Sequence, residues 1–195
     1  MSNTACIFID FINDIVSTDY TWASCAAVFK ERNVAFCANK LIEFLRVRSC
    51  PVIHVKLGFK EDYSDLPKNS LMFSKALDKG IFKLNTPGTE FHKDLQINQD
   101  HLIITKKRVS AFYQTELDIF LTQRNITNLI ICGASTNNAV QACARDAHDR
   151  DYLPIIIENV CAARNIEDHE WAIKFMNHFS KITTLENFAE QYEVS

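Results

Sequence analysis

Three short stretches of this chain each place polar residues directly after an apolar run. They are Ile9-Asp10-Phe11-Ile12-Asn13-Asp14, Ile104-Thr105-Lys106-Lys107-Arg108-Val109-Ser110-Ala111-Phe112 and Gly133-Ala134-Ser135-Thr136-Asn137-Asn138-Ala139. An aspartate beside a lysine stays ionised, and so does the lysine. Backbone N–H groups at a helix start can receive a developing oxyanion. A cysteine in the first turn of that helix would have its thiolate favoured by the lysine and the helix end, and the aspartate could take its proton. Together these groups would make an acyl-transfer site. Here the first turn holds Ala139, a methyl group with no chemistry of its own. Taken singly, each stretch has an ordinary structural use. Asp10 can form a turn, Lys106, Lys107 and Arg108 can face water, and Thr136 or Asn137 can cap a helix. It is their conjunction that points to a site.

Positioning these groups requires strands that end on one edge. Apolar, β-rich runs occur at Ala5–Ile9, Pro51–Lys56, His101–Thr105, Asn128–Cys132, Leu153–Glu158 and Lys181–Leu185. Helical spacing occurs over Cys25–Arg48, read as one long helix, and over Thr115–Arg124, Thr136–Arg150 and Glu167–Phe179. Strands alternating with helices predict an α/β fold. It is a three-layer α/β/α, Rossmann-like single domain over residues 1–195, with a six-stranded parallel sheet covered on both faces. In such a sheet, ligands bind beyond the carboxyl ends of the strands, where strand order reverses. The segment Gly58–Asp100, with Pro67, Gly80, Pro87 and Gly88, reads as a lid or pocket wall with a short helix near Asn69–Lys79.

The bulk numbers bound the function. A chain of 195 residues with 47% hydrophobic content can bury a substantial core. A net charge of −3 without a basic block argues against nucleic acid as a partner. Seven scattered cysteines, an odd number with no CxxC pair, read as reduced thiols. With no basic leader and no apolar segment of spanning length, the expectation is a soluble, cytoplasmic protein with no membrane partner. Only four glycines occur, and neither GxGxxG nor GxxxxGK[ST] is present, so no nucleotide cofactor is expected.

In order along nearly the whole chain, these blocks resemble the isochorismatase-like hydrolases, also called the cysteine hydrolase superfamily. Phe8-Ile9-Asp10-Phe11-Ile12-Asn13-Asp14 resembles that family's opening strand, Lys106 to Phe112 its Lys-x-x-x-Ser-Ala-Phe block, and Gly133 to Val140 with Ala144-Arg145-Asp146-Ala147 the block bearing its nucleophile. The resemblance implies a hydrolase of a small molecule, an amide or ureide C–N bond or a vinyl ether. Asp10 and Lys106 take the catalytic roles, and Ala139 stands where most members carry the nucleophilic cysteine. It implies a cis peptide between Ala134 and Ser135, which would aim backbone N–H groups near Ser135 and Ala139 into the pocket. It also implies a homo-oligomer, a dimer or tetramer.

Alanine cannot form a thioester, so the usual amidase mechanism is closed to this chain. Three accounts of Ala139 stand open. The chain could run isochorismatase chemistry, in which Asp10 is a general acid toward a vinyl ether. The alanine could be an engineered replacement that traps a substrate. Or the site could have lost catalysis and now only bind or assemble. Cys143, one helical turn on, is read as apolar packing rather than a relocated nucleophile, and Cys132 as core. No metal is expected: Asp146-Ala147-His148 falls inside a helix, His54 in a strand and His92 in the long segment. His169 is read as a structural cap. Phe11, Phe59 and Phe112 are the candidate pocket walls, and Lys107 and Arg108 candidates for meeting a carboxylate.

Overall fold

The computed structural model describes residue 1 and residues 3–193. It contains six strands: β1 (Thr4–Ile9), β2 (Val52–Leu57), β3 (Leu102–Lys106), β4 (Asn128–Ala134), β5 (Leu153–Ala162) and β6 (Lys181–Thr183). All pair in parallel, in the order β3-β2-β1-β4-β5-β6. Every residue of β1 is buried and six of the seven in β4 are, as an apolar run with no polar alternation requires of a strand covered on both faces.

Among the described residues, eight α-helices connect and flank the strands: α1 (Asn13–Val16), α2 (Ala26–Glu31), α3 (Val34–Arg46), α4 (Ala76–Lys79), α5 (Leu117–Gln123), α6 (Gln141–His148), α7 (Ile166–Met176) and α8 (Leu185–Glu193). From β1 to β2 the chain moves one way across the sheet, and from β4 to β5 it moves the other. Right-handed crossovers therefore put α3 and α6 on opposite faces. Accordingly α3 packs with α8, and α6 packs with α7. Sequence order reverses between β1 and β4, and the crevice at their carboxyl ends is the topological switch point.

β1 and β4 approach closely there, with Ile9 opposite Gly133. Gly133 has a φ of +147°, and a Cβ at that position would collide with the Ile9 backbone. Only glycine lets the strand carrying Asp10 lie so near the strand that feeds the turn.

The long helix expected over Cys25–Arg48 is two helices. Asn33 adopts a left-handed conformation with φ 51° and separates α2 from α3. Asparagine tolerates that region, so a continuous apolar pattern did not require a continuous helix. The last strand stops at Thr183, and a helix the pattern did not anticipate, α8, begins at Leu185. In the segment after β2, the helix is one turn, Ala76–Lys79, not the longer piece expected from Asn69. That segment is ordered by a small core of its own, in which Phe59 meets Phe73 edge-on and Ile12, Leu57, Tyr63 and Ala76 close around them. Phe59 also pairs with the backbone around Lys83, adding a bridge beyond the sheet.

Candidate functional site

Asp10 is the first residue after β1, and its positive φ of 57° turns the chain out of the strand. Its backbone N–H donates to the Val55 carbonyl at 2.8 Å, which anchors the turn to β2. Asp10 is 2% exposed. One oxygen accepts the Leu57 N–H at 2.7 Å, and the other meets Lys106 Nζ at 2.7 Å. Burial pushes the Asp10 carboxyl above the usual range, while the Lys106 charge and the Leu57 N–H pull it down.

Lys106, the last residue of β3, is 1% exposed. Besides Asp10, its ammonium donates to the carbonyls of Arg108 at 3.1 Å and Val109 at 2.9 Å. Three donors thus find three acceptors, which is what a buried ammonium needs. β2 and β3 end together, with Leu57 opposite Lys106, and this register carries the lysine across to the aspartate.

The third element begins with a cis peptide bond between Ala134 and Ser135. Thr136–Val140 then forms one wide turn of π-helix before α6. The N–H groups of Asn138 and Val140 return to the Ser135 carbonyl, each at 3.2 Å, and Asn138 Nδ2 donates to Ser135 Oγ at 2.8 Å. The helix expected to start at Thr136 is therefore α-helical only from Gln141. Asp10, Lys106, Ala134, Ser135, Asn138 and Ala139 all line one cavity of about 220 Å³.

The opposite wall differs from the expected one. Phe11, Phe59 and Phe112 do not line the cavity. Phe11 packs in the core against Phe8 and Phe29, and Phe59 stands behind Phe73. Phe112 stacks on Tyr152 beneath the Arg150 guanidinium. The apolar wall is made instead by Ile15, Leu57, Met72, Phe73, Ile81, Phe82 and Val109. Residues placed directly after a strand continue into the core when the chain turns inward, and the loop supplies the lining. Ser24 and Cys25, just before α2, also line the cavity, and nothing in their spacing marked them. Burial pushes the Cys25 thiol up to about 11, so it stays protonated. Lys107 forms an ion pair with Asp65 at 2.9 Å, and Arg108 Nη1 donates to the Lys107 carbonyl at 2.7 Å. Neither lines the cavity.

Supporting contacts fix the polar wall from behind. Ser110 Oγ hydrogen-bonds Asp146 of α6, tying the segment after Lys106 to the helix after Ala139. His169 is not a cap. Asn165 caps α7 by accepting the Asp168 N–H at 2.7 Å. His169 is buried on the inner face of α7, with Nδ1 2.9 Å from Thr136 Oγ1. Burial, and then the Arg32 charge, lower its pKa to about 4, so the ring is neutral at neutral pH. Cys143 is fully buried outside the cavity, and burial raises its thiol to about 12. Cys132 is core. His54 stacks on Phe8 and shares a 2.9 Å contact with His101 Nδ1, well inside the sheet layer. Among the described residues, no three His, Cys, Asp or Glu side chains converge as metal ligands, and no helix is long and apolar enough to cross a membrane.

The isochorismatase domain model matches residues 4–187. An uncharacterized isochorismatase family protein of Bacillus subtilis, YwoC, is 26% identical over 96% of this chain and 93% of its own length. A probable inactive nicotinamidase of Arabidopsis thaliana is 28% identical over 97% of this chain and 96% of its own. Among solved structures, an isochorismatase family protein from Desulfovibrio vulgaris superposes with a TM-score of 0.87 at 24% identity, covering 99% of this chain and all of that one.

Proposed function

The chain belongs to the isochorismatase family, and on that footing we propose that its cavity binds a small amide-type molecule at a hydrolase site whose covalent step is closed at Ala139. One observation carries this reading. Asp10, Lys106 and the turn after the cis peptide meet on a single cavity, and the residue on that turn at the thiol position presents only a methyl group. Ala139 is 5% exposed and sits on the lining itself.

With a thiol at position 139, the assembly would work as follows. Asp10 would accept the thiol proton, and Lys106 would hold the negative charge that remains. The backbone of the turn would receive the carbonyl oxygen as it becomes an oxyanion. Without the thiol, the backbone of the turn is left to receive a carbonyl oxygen and the Lys106 charge remains nearby, but no sulfur is present to attack. Cys25 and Cys143 do not replace it: burial holds both thiols protonated, and Cys143 lies outside the cavity. The Arabidopsis relative, whose name describes a nicotinamidase without activity, supports an amide-type ligand and a silent site together.

A second reading has one observation in its favour. Burial raises the Asp10 carboxyl, the direction a general acid toward a vinyl ether needs. Lys106 at 2.7 Å works against it by favouring the carboxylate.

The test is to assay the chain beside its Ala139→Cys variant on one panel of small amides, ureides and isochorismate, following adducts by mass spectrometry. The expected result is that the chain turns over nothing, while the variant acquires an acyl adduct and hydrolyses an amide. Turnover of isochorismate by the unaltered chain would replace this reading with the second.

A further inference from the structure

The cavity walls are unbalanced in a way that narrows the ligand. Its charged side chains are Asp10 and Lys106, which neutralise each other, and the remaining Lys106 donors are spent on two carbonyls. No other lysine, and no arginine or histidine, lines the cavity among the described residues. A carboxylate brought in would lose its water, find no free cation and lie beside Asp10. Burying an unpaired charge costs several kcal/mol. Backbone N–H groups of the turn would favour the partial charge of a carbonyl oxygen without offsetting a full negative charge near Asp10.

The rest of the lining rewards apolar surface. Phe73, Ile81 and Phe82 form one side. Met72 belongs both to the lining and to the surface, with 53% exposure, so the cavity opens beside it. Its neighbour Leu71 is 95% exposed. Leu71, next to Met72 in the chain, adds apolar surface for a ligand longer than the cavity.

Resting on the reading that this cavity is the ligand site, we propose that it selects an uncharged amide-type molecule with an apolar tail running out past Met72 toward Leu71, and that it excludes carboxylates. The polar head lies at Asp10 and the turn. The tail lies along Phe73 and Phe82.

Calorimetric titration of the unaltered chain with propanamide, hexanamide and octanamide, each beside its matching carboxylate, tests the proposal. Amide affinity is expected to rise about fourfold per added methylene while the tail runs along the wall. Each carboxylate is expected to bind at least about tenfold more weakly than its amide, the discrimination that ~1.4 kcal/mol provides. Ala139→Leu, which fills the polar end, is expected to abolish amide binding. Met72→Arg, at a half-exposed position that tolerates charge, is expected to strengthen the carboxylates and weaken octanamide. Carboxylates that bind as tightly as the amides, or an affinity indifferent to tail length, would overturn the selectivity and leave the site reading intact. Binding that survives Ala139→Leu, or no binding by either series, would overturn both.

Discussion

The two walls of the cavity are built on opposite principles. The polar wall hangs from three strand ends, β1, β3 and β4, and its groups are held by the register of a sheet buried on both faces. The apolar wall comes mainly from the segment after β2, which has one turn of α-helix and makes its own small core. The sheet fixes atoms to within a hydrogen bond, whereas the segment presents surface. Chemistry and selectivity therefore reside on different walls. Groups that must meet at 2.7 Å are carried by strands, and groups that need only exclude water are carried by a loop.

The largest effect is expected at Lys106. Lys106→Ala leaves the Asp10 carboxylate buried without its cation and is expected to cost about 3–5 kcal/mol of stability in urea unfolding. A loss near zero would mean that the polar wall does not depend on the pair. A counterpart on the other wall is Asp14. Its carboxylate accepts the Phe82 N–H at 2.7 Å, fastening the apolar side to α1, and Gly88 packs against it so closely that a Cβ there would collide. Asp14→Ala is expected to cost about 1–3 kcal/mol, with hydrogen exchange rising around Ile81 and Phe82 and not in β1. An effect that spreads into the sheet would show that the walls are one unit.

The effect spread most thinly, per unit of pH, is a pH dependence at the support of the polar wall. His169 has a folded pKa of about 4 against the 6.5 of an unperturbed histidine. Between those values the unfolded chain binds the proton and the folded chain does not, so stability falls as pH falls through that window. Its share is about 1.4 kcal/mol per pH unit, and His169→Asn is expected to flatten the acid side of the stability profile by that slope. An unchanged slope would separate His169 from the turn it supports.

How much of this was legible in the sequence follows the same division. The strands, their parallel pairing and the residues at their ends announce themselves as continuous apolar runs that stop at Asp10, Lys106 and Gly133. Membership in the family was legible from the same three blocks. The apolar wall was not. Met72, Phe73, Ile81 and Phe82 have no periodicity to mark them, and their role depends on where a long segment returns. Phe11, Phe59 and Phe112 sit near strand ends in sequence yet point into packing, because proximity along the chain says nothing about which way a turn carries the side chain. Asn33 hid a helix break inside an unbroken apolar pattern, and α8 lay beyond a strand whose run of apolar and β-branched residues overshot its end.

The saturation of Lys106 has a further consequence. An ammonium whose three protons already point at Asp10, Arg108 and Val109 has no hand left to extend to a visitor. It serves as a stationary source of potential, felt across the cavity but not grasped. Any molecule that settles there is oriented by a field that does not move to meet it, so recognition depends on the shape and polarity of the visitor and not on a side chain swinging toward it.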